Sequence, residues 1–146
     1  MDPVTVSVDV AKPRQEVFDF LDVLSNHESF MDHLFADWSY SGPKRGVGAR
    51  ARARQNAPGS QEWTEFEVVE VTSDKIVEEG AGGKGKRLTR GTYRLEELPD
   101  GGTRVSFELA WTKVAKAEGM IPFLTRIFVR RANGKGMRRL AKQLEG

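Results

Sequence analysis

Cysteine is absent from this 146-residue chain. Disulfides, thiolate nucleophiles and cysteine-ligated zinc sites are therefore excluded. Long apolar runs are also missing, which excludes a helix that spans a membrane. The first residues contain no basic segment followed by an apolar stretch, as a secretory signal would. From these absences we expect a cytoplasmic protein.

The composition is that of a folded chain. Hydrophobic residues make up 38% of the sequence, and its 15 glycines bring that fraction to roughly 48%, which is ordinary for a globular domain. A chain of this length buries enough surface for one hydrophobic core. We therefore expect a single domain over residues 1–146.

Charge is distributed unevenly, although the net charge is only +2. Residues 1–37 carry eight acids against two basic residues, whereas residues 119–146 carry seven basic residues against one acid. A basic segment of this kind can contact a nucleic acid or a membrane. Its aromatic residues, however, fall on or near an apolar stripe and are not placed to stack on bases. We expect a solvated basic helix face near an acidic face, no nucleic-acid partner, and transient membrane-surface contact as an open alternative.

Alternation of apolar and polar residues predicts several β-strands. Residues 4–10 and 105–111 alternate clearly, and Ala49, Ala51 and Ala53 alternate with arginines. Antiparallel pairing of the alanine strand with residues 63–68 would set arginines beside glutamates on the outer face. The small alanines would then leave room on the inner face. A shift of the apolar phase after residue 68 predicts a β-bulge.

Helical signals stand at both ends of the strand region. Pro13 opens a short helix, and Ser25 with Glu28 has the spacing of a capping box for a second one. After Gly119 the apolar residues recur at helical spacing for about 24 residues. Gly134 and Gly136 lie inside this helix, where they predict a bend or a close approach to a neighbour. The element order predicts an α+β fold with about six to seven antiparallel strands curled around the long C-terminal helix.

This pattern resembles the superfamily of StAR-related lipid-transfer proteins, polyketide cyclases and birch-pollen-allergen proteins (SRPBCC, or START-like). The matching features are Ala11-x-Pro13 followed by Val17-Phe18-x-Phe20-Leu21, then Asn26-His27, Trp38, Gly46-x-Gly48, Gly101-Gly102-Thr103-Arg104-Val105 and the terminal amphipathic helix. The resemblance covers essentially the whole chain. It implies a helix-grip (Bet v 1-like) fold, with a cavity between sheet and helix that holds an apolar or amphipathic small molecule.

Two motifs match patterns found in phosphate-binding sites and metal sites, but a structural role explains each of them better. Residues 80–85 match G-x-G-x-x-G, but a strand pattern follows where a phosphate-binding site needs a helix. We therefore interpret them as a hairpin turn. His27 and His33 are six residues apart, so they would face different sides of a helix and lack a third strong metal ligand. A surface or capping role is expected for them, with no metal and no cofactor.

The alternation of side chains along each strand predicts which residues face the cavity and which face outward. Alternation places Glu65, Glu67, Glu78, Glu79 and Glu108 mostly on the outer face. Tyr93 and Trp111 face inward and are the catalytic candidates, if the protein is an enzyme. The expected ligand-binding residues are Leu24, Met31, Trp38, Ala51, Phe66, Tyr93, Phe107, Trp111, Phe123, Leu124 and Ile127.

Three functions remain open from the sequence. The first is binding or carriage of a small hydrophobic or amphipathic ligand such as a lipid, a polyketide or another aromatic compound. The second is a polyketide cyclase/dehydrase-like enzyme that uses the same cavity. The third is a protein-interaction module, which would have a collapsed cavity and a large exposed apolar patch. A monomer and a homodimer are equally compatible with the sequence.

Overall fold

The structure, a computed structural model, describes residues 1–56 and 61–146. In chain order the elements are β1 (Val4–Val10), α1 (Arg14–Asp22), a 3₁₀ helix (Leu24–His27), α2 (Glu28–Met31), β2 (Phe35–Ser41), β3 (Arg50–Gln55), β4 (Trp63–Thr72), β5 (Lys75–Gly82), β6 (Arg87–Glu97), β7 (Thr103–Lys113), α3 (Lys116–Met120) and α4 (Pro122–Glu145). This order confirms the predicted α+β fold. The terminal helix has 24 residues, as its periodicity predicted.

All seven strands form one antiparallel sheet in the order β1-β7-β6-β5-β4-β3-β2. On its outer face, Arg50 of β3 lies 3.0 Å from Glu67 of β4, which confirms the predicted pairing of arginines with glutamates. The register of β4 against β5 shifts between Val68 and Glu70, where the apolar phase predicted a bulge. Exposed ion pairs of this kind contribute little stability, so the buried face holds the sheet together.

Two local expectations were wrong. The capping box does not form: Val23 precedes the 3₁₀ helix, no side chain caps it, and Ser29 Oγ donates a hydrogen bond to the Asn26 carbonyl at 2.7 Å. Strand β5 continues to Gly82, so it includes the first three residues of the turn predicted at residues 80–85. The glycine-rich turn is therefore shorter than predicted, and β6 follows it directly, as the hairpin interpretation requires.

Helix α4 is anchored through its C-terminal half. Met137, Leu140 and Ala141 are buried in the core, whereas the helix surface before residue 129 is largely exposed. Gly136 faces α2 so closely that a Cβ there would lie 2.6 Å from Met31 Sδ and 3.3 Å from the Phe30 carbonyl oxygen. Gly136 therefore marks a close approach of two helices.

The basic helix meets the acidic part of the chain. Arg139 lies 2.6 Å from the Asp32 carboxylate, and Arg126 donates a hydrogen bond to the Asp2 carbonyl oxygen at 3.1 Å. Arg130 reaches the Thr5 carbonyl oxygen at 3.5 Å. These contacts place the two oppositely charged ends of the sequence side by side.

Replacement of the two helix glycines by larger residues is expected to have opposite effects. Gly134→Ala should raise the free energy of unfolding by up to about 1 kcal/mol, because alanine is the better helix former and a Cβ there meets only the mobile Arg138 side chain, at 3.4 Å. Gly136→Leu should lower it by about 1–3 kcal/mol through overpacking against α2. Urea unfolding measures both. A stabilised Gly136→Leu protein would contradict the close approach.

Candidate ligand-binding site

The sheet and α4 enclose a cavity of about 130 Å³. Its floor includes Gly80 of β5 and Gly91 of β6. A Cβ at Gly80 would lie 2.6 Å from Thr89 Oγ1, and one at Gly91 would lie 2.9 Å from the ring of Phe107. These positions carry no side chain because their neighbours already occupy the adjacent space. The glycines therefore let Thr89 and Phe107 pack closely against the sheet at the floor of the cavity.

Seven of the eleven predicted ligand-binding residues line this cavity. They come from the 3₁₀ helix, α2 and five strand positions, and they are Leu24, Met31, Trp38, Phe66, Tyr93, Phe107 and Trp111. The aromatic rings pack against one another at the walls: Trp38 stacks on Phe66 with centroids 6.1 Å apart, and Tyr93 lies 4.5 Å from Phe107. The cavity is thus lined mainly by apolar and aromatic surface.

The other four residues do not line the cavity. Ala51 is buried in the packed core beside it, so the expected room over the β3 alanines is absent there. Phe123, Leu124 and Ile127 lie on the exposed side of α4, and Phe123 is 73% exposed. The physical reason is helix phase, because the positions of α4 that face the cavity are Thr125, Phe128, Val129 and Asn133, at spacings of three and four residues.

His27 lies inside the protein and lines the cavity, so the expected surface position was wrong, whereas the expected capping role is met because its ring bonds to a carbonyl in the last turn of α1. Its Nε2 is 2.7 Å from the Leu21 carbonyl oxygen, and its ring meets Tyr93 edge-on at 5.3 Å. Burial lowers the pKa of His27 to about 4. The imidazole is therefore neutral at physiological pH and donates through Nε2.

Glu78 was expected on the outer face, but it lies on the concave face and lines the cavity. Ile76 and Val77 are both buried, so alternation along this strand could not define its phase. Burial raises the pKa of Glu78 to about 7. A carboxyl with this pKa exchanges its proton near neutral pH, which is the property of a general acid or base.

Two further polar groups reach the cavity without a partner among the described residues. Tyr93 is 1% exposed, and its hydroxyl makes no hydrogen bond within the described chain. Asn133 of α4 is 3% exposed, and its Nδ2 atom has no hydrogen-bond partner there either. Buried polar groups are normally paired. Sequence reasoning missed Asn133, because a single asparagine in a basic helix is an ordinary surface residue.

Arg87 forms the most polar part of the cavity wall. Its Nε lies 2.7 Å from Glu118 of α3, its Nη2 lies 3.2 Å from Glu62, and its side chain is only 15% exposed. The Glu118 pair joins β6 to the segment that leads into α4, and the Glu62 pair joins β6 to the residue before β4. The strand pattern could not identify them, because both acids are far from Arg87 in sequence.

The acidic residues and histidines do not form a metal site in the described part of the chain. Within residues 1–56 and 61–146, no group of three or more histidine, aspartate or glutamate side chains is arranged to hold a metal ion. His33, the second histidine, lies 2.8 Å from the Ala132 carbonyl oxygen and 2.9 Å from Arg139, so it joins α2 to α4. None of the described helices is both long and apolar enough to cross a membrane.

Several solved structures share this fold. The Zhui aromatase/cyclase of Streptomyces sp. R1128 is 15% identical, with a TM-score of 0.76 over 99% of this chain and 93% of that chain. The TTHA0849 protein of Thermus thermophilus is 15% identical, with a TM-score of 0.74 over 98% and 97%. Ara h 8.0201 is 11% identical, with a TM-score of 0.71 over 98% and 97%. At these identities the likeness shows the fold alone.

No curated protein sequence matches this chain. A family model, however, matches it over residues 1–145, and that family is described as polyketide cyclase/dehydrase and lipid transport. The match spans nearly the whole sequence, including every element that encloses the cavity. The chain therefore belongs to the polyketide cyclase/dehydrase and lipid transport family.

Proposed function

We propose that this protein binds a small hydrophobic or amphipathic molecule, such as a lipid, a polyketide or another aromatic compound, in the cavity between the sheet and α4. The observation that carries the proposal is a cavity of about 130 Å³ with a mainly apolar and aromatic wall. Protein interiors are close-packed, and voids larger than a water molecule are few. A cavity of this size is therefore a feature that a bound ligand would explain.

The size of the cavity limits the part of the ligand that it encloses. An engineered apolar cavity of about 150 Å³ is known to hold benzene. The present cavity therefore suits one aromatic ring or a short branched chain. A longer ligand would extend past Arg87 and Glu118 toward solvent. Burial of the apolar part would drive binding at roughly 25 cal/mol per Å² removed from water.

A second candidate function is a cyclase/dehydrase-like reaction in the same cavity. Catalysis requires polar groups that face the ligand, whereas a cavity lined only by apolar side chains would favour ligand transport. Here Glu78 and Tyr93 both line the cavity, and the pKa of Glu78 near 7 suits proton transfer. Trp111 lines the wall beside them and would orient a ring. One structural relative is an aromatase/cyclase by name.

Transient membrane contact is a further part of the proposal for a carrier. The surface suited to it is the exposed apolar start of α4 with the residues just before it, which comprises Met120, Ile121, Phe123 and Leu124. This surface adjoins the cavity-lining positions Thr125 and Phe128 on the same helix. A pure interaction module is less favoured, because it would have a collapsed cavity.

Filling the cavity is expected to abolish binding. Thr89→Trp places a large ring over the floor, since Thr89 lines the cavity directly opposite Gly80. Leu88→Trp is the matched control, because Leu88 is the preceding residue and is exposed on the outer face. Calorimetric titration with toluene should give at least about tenfold weaker binding for Thr89→Trp, and unchanged binding for the control. Equal binding by both variants would place the ligand elsewhere.

Replacement of the cavity carboxyl is expected to stabilise the protein in a pH-dependent way. Burial raises the pKa of Glu78 from 4.5 to about 7, so its contribution to stability is fully present below pH 4.5 and is lost as the pH rises to 7. Glu78→Gln avoids this loss, and its gain over the native protein should reach on the order of 3 kcal/mol above pH 7. Urea unfolding between pH 4 and pH 8 measures the difference.

Two features make this pH experiment specific. The buried His27 has the opposite effect on stability, because its lowered pKa reduces the free energy of unfolding as the pH falls from 6.5 to about 4. His27 is present in both proteins, so its effect cancels when the two are compared. Glu79→Gln is the control, since it removes a carboxyl from the exposed side of the same strand. Parallel pH curves for Glu78→Gln and the native protein would contradict the inward position of Glu78.

A further inference from the structure

We propose that Glu78 makes the cavity selective for ligands that carry a hydroxyl group, by accepting a hydrogen bond from that hydroxyl. This inference rests on the proposed function, because it concerns the ligand of the same cavity. It assigns to Glu78 a role in ligand selection, separate from the apolar contacts that supply affinity.

The surroundings of Glu78 leave its carboxyl open to a ligand. On its own strand the next residue on the concave face is Gly80, and the residue paired with it on β6 is Gly91. A Cβ at Gly91 would lie only 3.3 Å from Glu78 Cγ. Thr89 and the Phe107 ring occupy the space over these two glycines, and beside them Glu78 lines the cavity and remains partly exposed.

No donor of the cavity wall is bonded to Glu78. Among the described residues its carboxyl forms neither a hydrogen bond nor an ion pair. Arg87, the cationic side chain on the wall, is held by Glu118 at 2.7 Å and by Glu62 at 3.2 Å. The Nε2 of His27 is bonded to the Leu21 carbonyl oxygen. The protein thus leaves this acceptor for a molecule that enters the cavity.

A donor stands beside Glu78 on the sheet. Tyr93 has a hydroxyl that makes no hydrogen bond within the described chain, and it is close enough to Glu78 for the carboxyl charge to add to the effect of burial in raising the pKa of the phenol. Asn133 of α4 also lines the cavity, but its Nδ2 atom is fully buried and is not open to a ligand. The sheet therefore presents both an acceptor and a donor to a bound molecule.

The chemistry of these groups selects a hydroxyl. A hydrocarbon that displaces water from the cavity leaves Glu78 unpaired, whereas a hydroxyl can both donate and accept a hydrogen bond. A site built to bond a hydroxyl discriminates strongly against the analogue that lacks it. An ammonium group is a poorer match, because the walls are mainly apolar and a buried ion pair needs further hydrogen bonds to offset its desolvation.

The test compares phenol with toluene, which have nearly the same shape and differ in the hydroxyl. Affinities for both probes are measured by calorimetry at pH 8 for the native protein, Glu78→Leu and Glu78→Gln. Glu78→Leu should lower the ratio of phenol affinity to toluene affinity at least about tenfold, while its toluene affinity stays equal or rises. Glu78→Gln keeps an acceptor oxygen and should retain most of the ratio.

Each other outcome has a definite meaning. An unchanged ratio in Glu78→Leu would overturn the assignment of Glu78 while leaving ligand binding intact. Tighter binding of benzylamine than of phenol by the native protein would also overturn it, in favour of a cationic ligand. Binding of neither phenol nor toluene by the native protein would overturn the proposed function itself. Urea unfolding of Glu78→Leu verifies that the variant is folded, which is expected because an unpaired carboxyl is removed from the interior.

Discussion

The attachment of α4 to the rest of the protein through its C-terminal half is the contact on which the structure depends. Met137 and Leu140 insert into the core, and Gly136 allows α2 to approach the helix backbone. Core contacts of this kind are close-packed and resist deformation. Because the buried positions of the helix begin only at Asn133, the earlier turns remain above the sheet without filling the space beneath them. The cavity lies in that space.

The glycines of β5 and β6 complete this arrangement from the sheet side. Side chains packed on the inner face of a strand normally stabilise a sheet, and a glycine has no side chain to contribute this packing. At Gly80 and Gly91 the loss coincides with the position of the cavity and of Glu78. Asn133 adds a further cost of about 1–3 kcal/mol, because its buried Nδ2 atom has no partner in the described chain. Local violations of packing and pairing rules concentrate at functional sites.

The cavity therefore combines two kinds of surface with different roles. Aromatic rings such as Trp38 and Phe66 supply apolar area and hence affinity. The unpaired polar groups add little affinity but select among ligands, because they penalise any molecule that leaves them unbonded. Arg87 and its two acidic partners form a third, ion-paired region that joins β6 to α3.

By itself the sequence determined the features that depend on local periodicity. The alternating strands, the bulge after Val68, the pairing of arginines with glutamates and the long terminal helix all follow from side-chain spacing, which is a property of neighbouring residues. Seven of the eleven predicted cavity positions also followed from strand and helix phase.

The tertiary structure alone decided the rest. Two adjacent apolar residues left the phase of β5 open, so only pairing with β6 set Glu78 inward. Likewise, only packing determined that His27 is buried and that Phe123 faces away from the cavity, because periodicity defines which residues share a face but not what that face meets.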